Sequence, residues 1–147
     1  MRCCILYNQP GENALPDELD ILDQVEWIEI NINKMGISTF RKGITNDFIN
    51  EIASLTDEEF DFVFNLVESI NNKGELLYFI PAVLNMNGLP YTGNPLEAMF
   101  LTTSKALTAQ MLKKAGIKTP ETFDISSYKY LKPGNRYIIK PVWEDGS

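Results

Sequence analysis

Histidine is absent from this 147-residue chain. No His-based catalytic triad and no histidine-ligated metal can lie within it. Cysteine is scarce, with only Cys3 and Cys4. Neighbours on a strand point to opposite faces, so this pair is badly placed to bridge or to share a metal. Both read as small apolar side chains in a reducing compartment. Basic residues are outnumbered, 13 Lys plus Arg against 20 Asp plus Glu, for a net charge of −7. Neutralising a phosphate backbone wants a basic face, so nucleic acid is not an expected partner. A single nucleotide needs only a cation or two and some backbone N–H groups. No apolar run is long enough to cross a bilayer, and the one ending at Tyr7 is too short for a signal peptide, so no membrane partner is expected either. The expected location is cytoplasmic. No Gly-x-Gly-x-x-Gly follows the first apolar run, which argues against a dinucleotide-binding dehydrogenase.

What is present is an apolar content of 44%, enough to pack a core. The length fits one domain, or one domain and the start of another. Residues 3–8 read as a strand stopped by Gln9, Pro10 and Gly11. From Asp17 the apolar residues Leu19, Leu22, Val25, Ile28 and Ile32 recur at helical spacing, and Met35 with Gly36 ends the helix. Residues 37–40 predict a short second strand. Thr45 or Asn46 would cap a helix carrying Phe48, Ile49 and Ile52. Residues 60–67, aromatic and β-branched, predict a buried central strand with Phe60, Phe62 and Phe64 on one face.

A turn at 71–74 leads into a helical run from Leu76 to Met86. Pro81 inside it implies a late start or a kink, and Gly88 closes it. Residues 89–93 read as a brief strand and turn, with Asn94 as a helix cap ahead of Pro95. Thr103 or Ser104 caps a further helix over 105–115. Residues 122–125 and 136–142 predict strands joined by a polar segment with a turn at 132–135. Strands and helices thus alternate to about residue 103. That pattern defines an α/β fold, an open parallel sheet covered by helices and joined by right-handed crossovers.

Three segments in register carry more than fold. The first is Leu89-Pro90-Tyr91-Thr92-Gly93. The second is Thr103-Ser104-Lys105 leading a helix that closes at Lys114-Ala115-Gly116, with Pro120 beyond it. The third is Ile138-Ile139-Lys140-Pro141 running into Glu144-Asp145-Gly146-Ser147. Their order and spacing resemble D-alanine–D-alanine ligases and related ATP-grasp carboxylate–amine ligases, specifically from about Phe60 onward. The resemblance implies a Rossmann-like pre-ATP-grasp domain over 1–103 and the beginning of an ATP-grasp domain over 104–147. It implies ATP and Mg²⁺ as cofactors, with the metal ligands outside these residues. The substrates implied are D-alanine or a related amino acid, joined through an acyl phosphate for peptidoglycan synthesis. The 147 residues alone are expected not to catalyse, and dimerisation through the entry domain is implied.

The family pattern maps onto particular residues. Lys105 and Lys140 match the lysines that face the ATP phosphates, and Ser147 matches the start of the loop closing over the terminal phosphate. Fixed cations suit a phosphoryl-transfer transition state. Read without the family, Lys105 is a lysine in a helix's first turn, where the positive helix end disfavours a cation that has no anion to serve. Lys140 follows the apolar run 137–139, which suggests burial, and a buried lysine wants a partner. Glu12 matches the family glutamate that holds the amino group of the first amino acid, with Asp17 and Glu18 as rivals and a plain loop carboxylate as the alternative. Glu68 ends the predicted central strand, at the edge where open α/β sheets collect ligands, or is a solvated end-of-strand charge.

The chain departs from the pattern on the amino-acid side. The family's His-Gly pair is replaced by Val67 and Glu68, and its Gly-rich first loop by Asn8-Gln9-Pro10-Gly11. ATP-dependent ligation is untouched by these changes, whereas D-alanine as the substrate is put in question. Two other readings stay open: a ligase for another amino or hydroxy acid, and a non-catalytic α/β domain binding a nucleotide or partner.

Overall fold

The computed structural model describes residues 1–143. Strand β1 spans Arg2–Asn8, helix α1 Pro16–Lys34, strand β2 Ser38–Ile44, helix α2 Phe48–Ala53 and strand β3 Phe62–Asn65; helices α3, α4 and α5 span Phe79–Met86, Leu96–Thr102 and Lys105–Lys114. The sheet is parallel throughout, in the order β2-β1-β3. This is the Rossmann-like α/β architecture that the alternation of elements predicts.

Alternation along β1 builds two cores. Cys3, Ile5 and Tyr7 face α1, meeting Ile21, Val25 and Ile32. Cys4 and Leu6 face the other side, where α2 and α3 contribute Ile52, Ile80, Val83 and Leu84. The cysteines therefore sit in different cores, both buried and reduced. Burial raises both thiol pKa values, that of Cys4 to about 12.

Helix ends follow the glycines. At Gly88 (φ 65°) the N–H groups of Gly88 and Leu89 return to Asn85 and Leu84 at 3.1 and 3.0 Å. That is a Schellman closure, which only a residue at ease with positive φ completes cheaply. Pro81 delays α3 to Phe79, after a 3-10 turn at Gly74–Leu76.

Several expectations need correction. Strand β2 runs on to Ile44, because all seven of its residues pair with β1. The central strand is β1; β3 lies beside it, flanked outside by a lone parallel bridge from Val63 to Tyr91. Phe60 precedes β3 and packs edge-on against Phe40 in the α2–α3 core, whereas Phe62 and Phe64 pack on the α1 side. Pro95, not Asn94, occupies the cap position of α4.

Neither segment 122–125 nor 136–142 is a strand. Asp124 instead caps a 3-10 helix, Ile125–Tyr130, accepting the Ser127 N–H at 2.8 Å and the Ser126 hydroxyl at 2.6 Å. Those bonds hold its carboxyl below the usual range. Ile138 and Ile139 are 83% and 98% exposed, and Lys140 is exposed with them. A strand exists only with a ladder partner, and none of the described residues pairs with 136–142.

Candidate functional site

All three strands point their carboxyl ends the same way, and a cleft of about 1150 Å³ opens there. Open α/β sheets bind ligands at this edge, because the loops leaving the strands converge on it. The first wall is the loop after β1, residues 8–14. The second is Ile44, Thr45 and Asn46 after β2. The third is 68–72 after β3, with Thr102 and Thr103 at the junction of α4 and α5.

Asn8 ties the first and third walls together through its side-chain amide, which bonds the backbone of Glu68 and Ser69. Next in the chain, Gln9 lies close against Gly43, where any side chain on the glycine would collide with it. Beyond Ile70 the chain turns through Asn71 and Asn72, both left-handed at φ 52° and 56°. Paired bonds between Ile70 and Lys73, at 2.9 and 3.3 Å, close the turn. That geometry is the type I′ form in which asparagine is favoured. It sets both amides on the rim of the cleft.

The structure brings Glu12 and Glu68 to this one cleft, both exposed. Glu18 lines it too, but its carboxylate accepts the Leu15 N–H at 2.8 Å and closes the start of α1. Lys105 opens α5, half-buried, behind the cap formed by Ser104, whose hydroxyl accepts the Leu107 N–H at 3.2 Å. The Lys105 N–H donates to the Val142 carbonyl at 3.0 Å, which sets the segment carrying Lys140 against the start of α5. Neither lysine is among the described residues lining the cleft, although Thr103 and Trp143 are. Ser147 lies outside the described residues. The feature that motif reading missed is the amide lining. Asparagine recurs past each strand, at Asn13, Asn46, Asn71 and Asn72, but nothing in the sequence shows that these turns share one cleft.

Fold and site together define an α/β domain with a polar cleft at the carboxyl edge of a parallel sheet. The chain is D-alanine–D-alanine ligase-like. It is 30% identical to the D-alanine–D-alanine ligase of Fusobacterium nucleatum over 119 residues, 80% of this chain and 38% of that ligase. It is 29% identical to an uncharacterized protein of Sinorhizobium fredii over 93 residues, 58% of this chain and 26% of that protein. The crystal structure of D-alanine–D-alanine ligase from Helicobacter pylori shares the fold, with a TM-score of 0.51 at 17% identity, covering 94% of this chain and 53% of that one. The chain thus spans well under half the length of the curated relatives it matches. No protein-family model matches it. No helix of the described residues is long and apolar enough to cross a membrane.

Proposed function

We propose that this chain is the amino-acid-holding part of an ATP-dependent carboxylate–amine ligase, most simply one that joins two D-alanines for peptidoglycan. Residues 1–103 would form the entry domain and 104–147 the beginning of the ATP-grasp domain. The observation that carries the reading is the meeting of Glu12 and Glu68 in one cleft, in a chain 30% identical to such a ligase. Three carboxylates, Glu12, Glu18 and Glu68, line a cleft whose described lining has no lysine or arginine, which suits the ammonium end of an amino acid.

The same lining does not suit phosphates. These would be held outside it, at the start of α5 and the adjoining segment, by Lys105 and Lys140. Ser147 would begin the loop over the terminal phosphate. ATP, with Mg²⁺ on its phosphates, would supply the phosphoryl group that turns the carboxylate into an acyl phosphate, releasing ADP; the amine then attacks the acyl carbon and phosphate leaves. The described residues gather no group of three His, Cys, Asp or Glu side chains for a metal. The roles proposed for Glu12, Glu68, Lys105 and Lys140 are ones of binding and orientation.

The test is a chimera in which this chain replaces the corresponding part of the Fusobacterium ligase. ATP-dependent phosphate release that requires an amino acid, and that falls when Lys140→Ala weakens ATP binding, supports the reading. A well-folded chimera that releases no phosphate with any amino acid, or an unchanged ATP affinity in the variant, refutes it.

A further inference from the structure

We propose that the cleft selects an amino acid with an uncharged, hydrogen-bonding side chain, of the carboxamide or hydroxyl kind, rather than alanine. The inference rests on the ligase reading above and replaces D-alanine as its simplest substrate. Its observation is the set Asn13, Gln24, Asn46, Asn71, Asn72 and Asn94, all lining the cleft and none engaged by a side-chain hydrogen bond among the described residues. Asn8 and Gln9 line it as well, but both are committed, Asn8 to the 68–69 backbone and Gln9 to the Tyr7 hydroxyl. These six exposed residues line the cleft, and their amides make no side-chain hydrogen bond among the described residues. A methyl group would satisfy none of them, whereas a carboxamide answers an amide in both senses.

Size points the same way. At about 1150 Å³ the cleft exceeds the roughly 300–1000 Å³ typical of pockets for drug-sized ligands, far more than an alanine fills. Charge narrows the class further. Glu12, Glu18 and Glu68 line the cleft with no cation in the described lining, so an acidic side chain would have nothing to pair with. The left-handed turn is the selective element, since it fixes two amides on the rim without spending them on the turn's own bonds.

The experiment is calorimetric titration of the 147-residue chain with both enantiomers of alanine, asparagine, glutamine, serine and glutamate. An amide or hydroxyl amino acid is expected to bind at least tenfold more tightly than alanine, and glutamate not at all. The double variant Asn71→Gly, Asn72→Gly keeps a backbone able to adopt positive φ. It is expected to hold its melting temperature and lose the tenfold preference. Alanine or glutamate binding as well as the amide amino acids, or a preference intact in the double variant, overturns the proposal. If alanine binds equally and Glu68→Gln abolishes its binding, the ligase reading survives and this inference alone fails. Absence of binding by every amino acid overturns both.

Discussion

Asn8, the last residue of β1, accepts the Glu68 N–H on its Oδ1 at 2.9 Å while its Nδ2 donates to the Ser69 carbonyl at 2.8 Å. One side chain thereby fixes the loop that presents the Glu68 carboxylate to the cleft, across a sequence separation of 60 residues. Replacing Asn8 by Ala strips a partner from the part-buried Ser69 carbonyl and from the exposed Glu68 N–H. It should cost about 0.5–1.5 kcal/mol of stability, measured by urea denaturation. Amide hydrogen exchange at Glu68 and Ser69 should accelerate more than at Val63. Unchanged exchange at those two amides would show that the loop holds itself.

Glu29 on α1 takes two bonds from the Arg41 guanidinium on β2, through Nε and Nη2, and a third from the Thr39 hydroxyl. The Arg41 bonds, first of all, hold its carboxyl below the ordinary value of 4.5. A depressed folded-state pKa gives stability that is fully present above the unfolded value and lost as pH falls through the lower, folded one. With Glu29 only partly buried and Arg41 more exposed, Glu29→Gln should cost roughly 0.2–1 kcal/mol at pH 7. That difference should disappear in acid below pH 4.5. A gap that persists at pH 2 would assign the effect to packing.

Cys3 and Cys4 should resist alkylation in the native protein at pH 8 and both react in denaturant, because the reactive thiolate is suppressed by burial. Above the unfolded thiol value of 9.0 the unfolded chain sheds protons that the folded chain keeps, so stability should fall as pH rises from 9 towards 12. The double variant Cys3→Ala, Cys4→Ala should lose that alkaline slope. Labelling of the native protein at the denatured rate would contradict the burial of both.

Ile5 and Leu6 are fully buried on opposite faces of the same strand. Each change to Ala should cost about 2–5 kcal/mol by leaving a cavity that its core cannot close. Ile5 and Leu6 are chain neighbours, but the sheet backbone separates the cores they fill, so the losses should be close to additive in the double variant, measured by denaturation midpoints. Strong coupling between them would mean that one core repacks through the strand.

The parts of this fold legible in the sequence are those where one local signal decides. The apolar period of α1 and the glycines at 36, 88 and 116 fix that helix and three helix ends. Where partners decide, the sequence misleads. Residues 41–44 look polar but join β2 because β1 offers a ladder, whereas the apolar run 137–139 looks like a strand and has none. Phe60 sits in step with Phe62 and Phe64, yet falls before the strand and so escapes its alternation. The candidate site divides similarly. Glu12 and Glu68 line one cleft because both follow strands of one parallel sheet, whereas in the sequence each reads equally as a plain solvated carboxylate. Asn8 and the amide rim were not legible. Asparagine is the ordinary residue of turns, and only three dimensions show several turns facing one hollow.

Of the three described strands, the first in the chain is the middle one of the sheet. During synthesis β1 emerges with both of its edges vacant. The first is filled when Ser38–Ile44 appears, and the second stays open until Phe62–Asn65 follows. A nascent chain of this protein therefore carries an apolar ribbon with a bare flank until Phe62–Asn65 has emerged.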